Sequence, residues 1–220
     1  MVRPLRINVE NELYHVTIRG NHRQKLFLDD EDREKYLETL KKYKKKYEFK
    51  VYCFVLMLNH VHLLVEPSEK ANLSKMMQVI NTSYAMYFNK KYRQVGHVQQ
   101  GRFHSILVER ESYLLELTRY IHLNPVRAGI VANPREYADS SFPVYMDVRP
   151  DGLVDKEEVL ELFGVRTETR IKRYRAFVED GIGKRREVLL QKKLKENIVL
   201  GSEKFRRDLL KQQVKEDVKA

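Results

Sequence analysis

Val51-Tyr52-Cys53-Phe54-Val55-Leu56-Met57-Leu58-Asn59-His60-Val61-His62-Leu63-Leu64-Val65-Glu66 is the stretch on which the fold turns. The apolar, β-branched runs on either side of Leu58-Asn59 read as two strands, 49–58 and 60–66. The junction leaves room only for a tight connection, so the pair is expected to form a hairpin. Strand side chains alternate faces and repeat about every 7 Å, which projects His60 and His62 from one face of a sheet. Two imidazoles side by side can be bridged by one divalent cation. Spacing alone leaves a second reading open, in which both are hydrogen-bonded core histidines.

Outward from the hairpin, residues 13–20 alternate in strand fashion. Tyr14, Val16 and Ile18 share one face, and His15, Thr17 and Arg19 the other. Asp29-Asp30-Glu31-Asp32 places acidic residues where a helix dipole favours them, at the start of a helix running to about Tyr47. Residues 73–92 carry Met76, Met77, Ile80, Tyr84, Tyr87 and Phe88 at helical spacing, a stripe that reads as core. Residues 103–108 give a fourth strand. The order strand, helix, strand, strand, helix, strand predicts an α+β fold of the ferredoxin-like, split βαβ type, an antiparallel sheet with helices on one face. RNA-recognition modules share that order, so fold alone assigns no function. Their basic-Gly-aromatic signature strand is missing, and Phe103 is the only aromatic in its strand.

A further helix is expected over 112–124, with Ser112 as a plausible N-cap, Leu114, Leu117 and Ile121 as its apolar face, and Pro125 and Gly129 beyond its end. Tyr120 and Asn124 are one turn apart, so a phenol and an amide share a helix face about 6 Å apart along the axis. Packed over the histidine strand, that face would make His60, His62 and Asn124 a three-ligand open metal site with Tyr120 beside it as a nucleophile. The bland alternative is a core tyrosine and an asparagine ending a helix before proline.

The chain has 42 Lys plus Arg against 31 Asp plus Glu, a net charge of +11 and a pI near 9.5, which point to a polyanionic partner. A lone cysteine in an apolar strand, Cys53, excludes an internal disulfide and reads as core. No apolar run reaches membrane-spanning length and no signal-peptide core opens the chain, so an intracellular, cytoplasmic protein is expected, associated with nucleoid DNA. Beyond the turn signal Pro150-Asp151-Gly152 the sequence is charged and helical. Asp155 is read as capping a first helix through Val159 and Phe163, and Thr167 to Gly181 as a second. A third carries Lys184, Arg185, Arg186, Lys192, Lys193 and Lys195, and a last follows Gly201-Ser202. The expected division is a main domain over 1–148 and a basic helical appendage over 149–220, with the main domain able to fold without it.

His60-Val61-His62, followed downstream by Arg119-Tyr120-Ile121-His122-Leu123-Asn124-Pro125-Val126-Arg127-Ala128-Gly129, resembles the single-tyrosine HUH transposases, and within them the REP-associated tyrosine transposases. Leu13-Tyr14-His15-Val16-Thr17-Ile18-Arg19-Gly20-Asn21, Phe27-Leu28-Asp29-Asp30-Glu31-Asp32-Arg33 and Gly96-His97-Val98-Gln99-Gln100-Gly101-Arg102-Phe103 are similar as well. The resemblance covers roughly residues 1–145. It implies a single-stranded DNA endonuclease and strand transferase that acts at hairpin-containing DNA through a covalent 5′-phosphotyrosine. Tyr120 would be the nucleophile, and His60, His62 and Asn124 the metal ligands. Magnesium prefers oxygen ligands and manganese tolerates imidazole better, so Mg2+ is expected, with Mn2+ able to replace it.

Arg19, Arg23, Lys25, Arg102 and His104 flank the strands and are candidate contacts to single-stranded or hairpin DNA. His122 is read as a surface or packing residue. A monomer and a homodimer both fit the resemblance. The competing functional reading is a non-catalytic nucleic-acid-binding regulator derived from a transposase, and a protein with purely structural histidines is a third.

Overall fold

The computed structural model describes residues 11–149 and 152–217. Apart from a 3-10 turn at Asn21–Arg23, its elements follow the expected order up to the fourth strand: β1 (Leu13–Arg19), α1 (Asp30–Tyr47), β2 (Lys50–Met57), β3 (His60–Glu66), α2 (Leu73–Tyr92) and β4 (His104–Val108). The α1 helix opens on a reciprocal cap. Asp29 accepts from the Asp32 backbone N–H at 3.0 Å, and the Asp32 carboxylate accepts from the Asp29 and Leu28 N–H groups. The β2–β3 hairpin closes through Leu58-Asn59 with Met57 opposite His60. The order β2-β3-β1-β4, antiparallel throughout, is the expected split βαβ sheet.

The helices cover both faces of this sheet. On one face Tyr14, Val16, Ile18, Phe54, Leu56, Val61, Leu63 and Val65 pack under α1 and α2. On the other, Cys53, Val55, Met57, Leu64, Ile106 and Val108 pack under α3 (Arg110–His122) through Leu114, Leu117, Tyr120 and Ile121. A bulge between Val51 and Cys53 explains the parity of β2, because one extra residue lets Tyr52 and Cys53 both serve the second face.

Four local expectations differ from the structure. The tyrosine helix starts at Arg110, with Glu109 at the N-cap position, and Ser112 lies inside its first turn donating to the Glu109 carboxylate. Asn124 begins a separate short helix, α4 (Asn124–Arg127), because Pro125 supplies no N–H to continue the ladder. Asp155 caps no helix. Its carboxylate accepts from the Val51 N–H at 2.8 Å and pairs with Lys44, and its own N–H donates to the Val51 carbonyl, which satisfies backbone groups at the bulge. A strand also appears that the sequence does not announce: β5 (Val199–Leu200) adds to β4 in parallel, making a five-stranded sheet.

The remaining elements are a 3-10 turn (Pro134–Glu136), α5 (Phe142–Tyr145), α6 (Glu157–Glu161), α7 (Thr167–Glu179), α8 (Arg185–Glu196) and α9 (Glu203–Asp217). Pro150 and Asp151 of the expected turn, and the side chain of Arg186, lie outside the described residues. Position 148 is not a break in the packing. Leu153 and Leu209 enter the first core layer, while Val159, Leu160, Tyr174, Val178, Leu190, Leu194 and Leu200 enter the second. His122, fully buried, bonds Ser141 Oγ through Nε2 at 2.7 Å and the Tyr174 hydroxyl through Nδ1 at 2.8 Å, joining α3 to α7. Arg119, 1% exposed, donates through Nε to Glu187 of α8 at 2.8 Å. Among the described residues no helix is long and apolar enough to cross a membrane.

Two outcomes follow from this packing. A chain ending at Val148 exposes the apolar surface of both layers and strips Phe177 and Glu187 from Arg119, so it is expected to lose its near-ultraviolet circular dichroism signal and its cooperative thermal transition. An intact transition would show that 1–148 folds alone. Burial holds His122 at a pKa of about 3, against 6.5 for a free imidazole. The unfolded chain therefore binds the extra proton between those values, and stability present above pH 6.5 is lost as pH falls toward about 3. Urea unfolding across that range should show a shallower pH dependence for His122→Gln than for the parent.

Candidate active site

Antiparallel register decides which side chains meet. His60 on β3 lies opposite Arg19 on β1, His62 opposite Thr17, and Thr17 opposite His104 on β4. Directly opposed residues share a face, so these form a polar row where the second apolar layer stops. His15, two residues before Thr17, brings a further imidazole onto the same face.

Each histidine has one ring nitrogen committed to the protein. His60 Nδ1 bonds Asn59 Oδ1 at 2.7 Å. His62 Nδ1 is 2.9 Å from His15 Nε2 and 3.2 Å from Thr17 Oγ1. The His15 and His62 rings stack with centroids 5.1 Å apart and planes 6° from parallel. Burial is the main cause that depresses all three: His60 to about 4, with the Arg19 charge adding to it, and His15 to about 3, helped by His104 and Arg127. His62 is pushed well below its usual value by burial, then by its histidine neighbours. At neutral pH all three are uncharged. Nε2 of His60 and of His62 therefore remain as the nitrogens free to bind a cation.

The Tyr120 ring stands edge-on to both inner imidazoles, 5.9 Å from His15 and 6.0 Å from His62 between centroids. Burial raises its phenol pKa, and the charges of Arg127 and Arg19 oppose the rise. One turn on, Asn124 Nδ2 donates to the Tyr120 carbonyl at 3.1 Å, which turns Oδ1 away from the helix backbone. Among the described residues no three His, Cys, Asp or Glu side chains are placed to hold a metal ion. His60, His62 and Asn124, which line one cavity, could offer two imidazole nitrogens and an amide oxygen to a cation.

These groups line a cavity of about 530 Å³, which brings together Tyr120, His60, His62, Asn124, Arg19, Arg102 and His104. Arg23 and Lys25 are exposed and do not line it; Arg23 instead offers its carbonyl to Asn59 Nδ2, bracing the hairpin turn. Sequence reasoning missed His15 and Thr17 as site residues, although strand alternation put them on the face of Arg19. It also missed Gln100, and Gln191 and Lys195 from α8. Nothing local in the sequence brings α8 to this cavity.

The sequence profile of the IS200-like transposases matches residues 8–124. A protein of Haemophilus influenzae described as a REP-associated tyrosine transposase is 29% identical over 153 residues, which span 63% of this chain and 83% of that relative. Among solved structures, a REP-associated tyrosine transposase bound to a REP hairpin superimposes with a TM-score of 0.58 at 19% identity, covering 68% of this chain and 89% of that one, a likeness of fold. A protein of Deinococcus radiodurans named as a transposase gives a TM-score of 0.39 at 12% identity, over 55% of this chain and 94% of that one. With its histidine hairpin and tyrosine helix inside the matched region, the chain belongs to the IS200-like transposase family.

Proposed function

We propose that the protein cuts and rejoins single-stranded DNA beside a hairpin, with Tyr120 as the attacking group. The observation that carries this reading is the convergence of Tyr120, His60, His62 and Asn124 on one cavity, with the histidines neutral. The Tyr120 oxygen attacks the scissile phosphorus, the phosphorus–O3′ bond breaks, and a 5′-phosphotyrosine forms. The bond energy is kept, so the freed 3′-hydroxyl can reverse the step or another 3′ end can take its place. Burial disfavours the phenolate, and the Arg127 and Arg19 charges offset part of that cost.

Nε2 of His60, Nε2 of His62 and Oδ1 of Asn124 would hold a divalent cation, Mg2+ in the cell with Mn2+ able to replace it. That cation would supply polarisation of the scissile phosphate and compensation of charge developing on its oxygens. Arg19, Arg102 and His104 at the cavity, with Lys195, offer contacts to the strand entering it. Arg23 and Lys25 lie further out, where duplex phosphates of a hairpin would pass. Acting on DNA, the protein would work in the cytoplasm, at the nucleoid. The REP hairpin of the solved relative is the DNA class to try first.

Incubation with hairpin DNA carrying a single-stranded flank, in Mn2+, should give an SDS-resistant adduct that peptide mapping assigns to Tyr120. Tyr120→Phe keeps the ring and removes the attacking oxygen, so adduct and cleavage should vanish while fold and hairpin affinity persist. An adduct on Tyr113 or Tyr14 would reassign the nucleophile. His60→Ala and His62→Ala should each abolish cleavage yet bind the hairpin within several-fold of the parent, because affinity comes mainly from spread basic contacts. Cleavage by either variant at the parent's rate under saturating DNA would remove the histidines from the metal site.

A further inference from the structure

Arg127 lies over the Tyr120 ring, yet it does not line the cavity. Its guanidinium carbon lies 3.8 Å from the ring centroid, so the flat cation covers a face of the phenol ring. Pro125 ends α3, and α4 then turns the chain so that a residue three past Asn124 comes back over Tyr120. The side chain is largely enclosed, at 20% exposure. Its Nη1 reaches Glu187 Oε2 at 3.4 Å, and its Nη2 is buried with no hydrogen-bond partner.

Glu187 is itself buried, at 3% exposure, on α8. Its other oxygen accepts from Arg119 Nε at 2.8 Å. One carboxylate therefore stands between two arginines that flank the tyrosine: Arg119 precedes it on α3 and Arg127 follows it on α4. A guanidinium enclosed with a single long carboxylate contact is costly to keep, and such a cost calls for a compensating role.

We propose that Arg127 is a positioning residue that fixes the face of the Tyr120 ring, and that Glu187 holds Arg127 there, so that α8 takes part in aiming the phenol. The imidazoles of His15 and His62 meet the ring as edge contacts, and Arg127 closes a face. Together they restrict the ring to one orientation, which is what in-line attack on phosphorus requires. The inference rests on Tyr120 being the nucleophile. It gives the C-terminal segment a part in the chemistry through a neighbour of the nucleophile rather than through DNA.

The test uses the full chain, hairpin DNA with a single-stranded flank, and Mn2+. It reads the single-turnover rate of adduct formation at saturating DNA, the hairpin Kd and the thermal midpoint. Arg127→Met, which keeps a long apolar stem, should slow the adduct step by about 10²-fold, the cost of a misplaced reacting group, with Kd and midpoint near the parent. Arg127→Lys should restore little of the rate, because a point ammonium cannot lie flat on the ring. It carries the test should Arg127→Met lower the midpoint. Glu187→Gln still accepts from Arg119 and should slow the same step less. The double variant Arg127→Met, Glu187→Gln should be no slower than Arg127→Met alone, because Glu187 acts through Arg127. Parent-like rates for the Arg127 variants, a loss in Kd rather than in rate, or losses that multiply would each overturn the clamp. With the parent adduct mapped to Tyr120, those results sink the clamp alone. A parent adduct elsewhere overturns the nucleophile and the clamp together.

Discussion

The two-residue turn at Leu58-Asn59 is the constraint on which the rest of the site depends. It pairs Met57 with His60, and that register carries across β1 to put Arg19, Thr17 and His15 on the face of the histidine pair. A slip of one residue would turn His60 and His62 toward α1 and α2 and bring Val61 and Leu63 out of their core layer. The apolar side chains on the opposite face hold the polar ones where they are. Asn59 has two parts in this: its side-chain oxygen engages His60 Nδ1, and its amide nitrogen engages the Arg23 carbonyl.

The polar row sits at the border of an apolar layer, and that border sets its chemistry. Desolvation keeps three imidazoles neutral and makes the phenol harder to ionise. The first effect suits ligands that must offer lone pairs, and the second demands positive charge near the nucleophile. Arg127 and Arg19 supply some of that charge from the protein. At the far end of the same face the polarity is resolved differently. Arg110 bridges Glu66 and Glu158, with the Tyr52 hydroxyl between them, leaving a closed ion-pair network.

Periodicity made much of this legible. Period two put His60 and His62 on one face, and the helical repeat put Tyr120 one turn before Asn124. His15 and Thr17 were visible in the alternation of residues 13–20, but their contact with His62 needs the β1–β3 register, which single-strand patterns do not give. The helix start escaped because Ser112 resembles a cap more than Glu109 does, and the terminus was set by where β4 ends. Asp155 was drawn from helix to sheet by the unpaired backbone of the bulge. The strand at Val199–Leu200, the reach of Gln191 and Lys195 into the cavity and the contact of Glu187 with Arg119 depend on tertiary pairing, with no local signal.

The pairing of Leu107 with Val199 and of Val108 with Leu200 also has a consequence in time. A ribosome delivers β4 long before it delivers the segment that covers β4's open edge. Until then the nascent sheet presents unpaired backbone groups along that strand, a template for joining another chain. The cavity wall from α8 arrives in the same late portion of synthesis. Growing chains therefore carry DNA-attracting charge before they carry a closed site, and the pocket stays open until α8 is made.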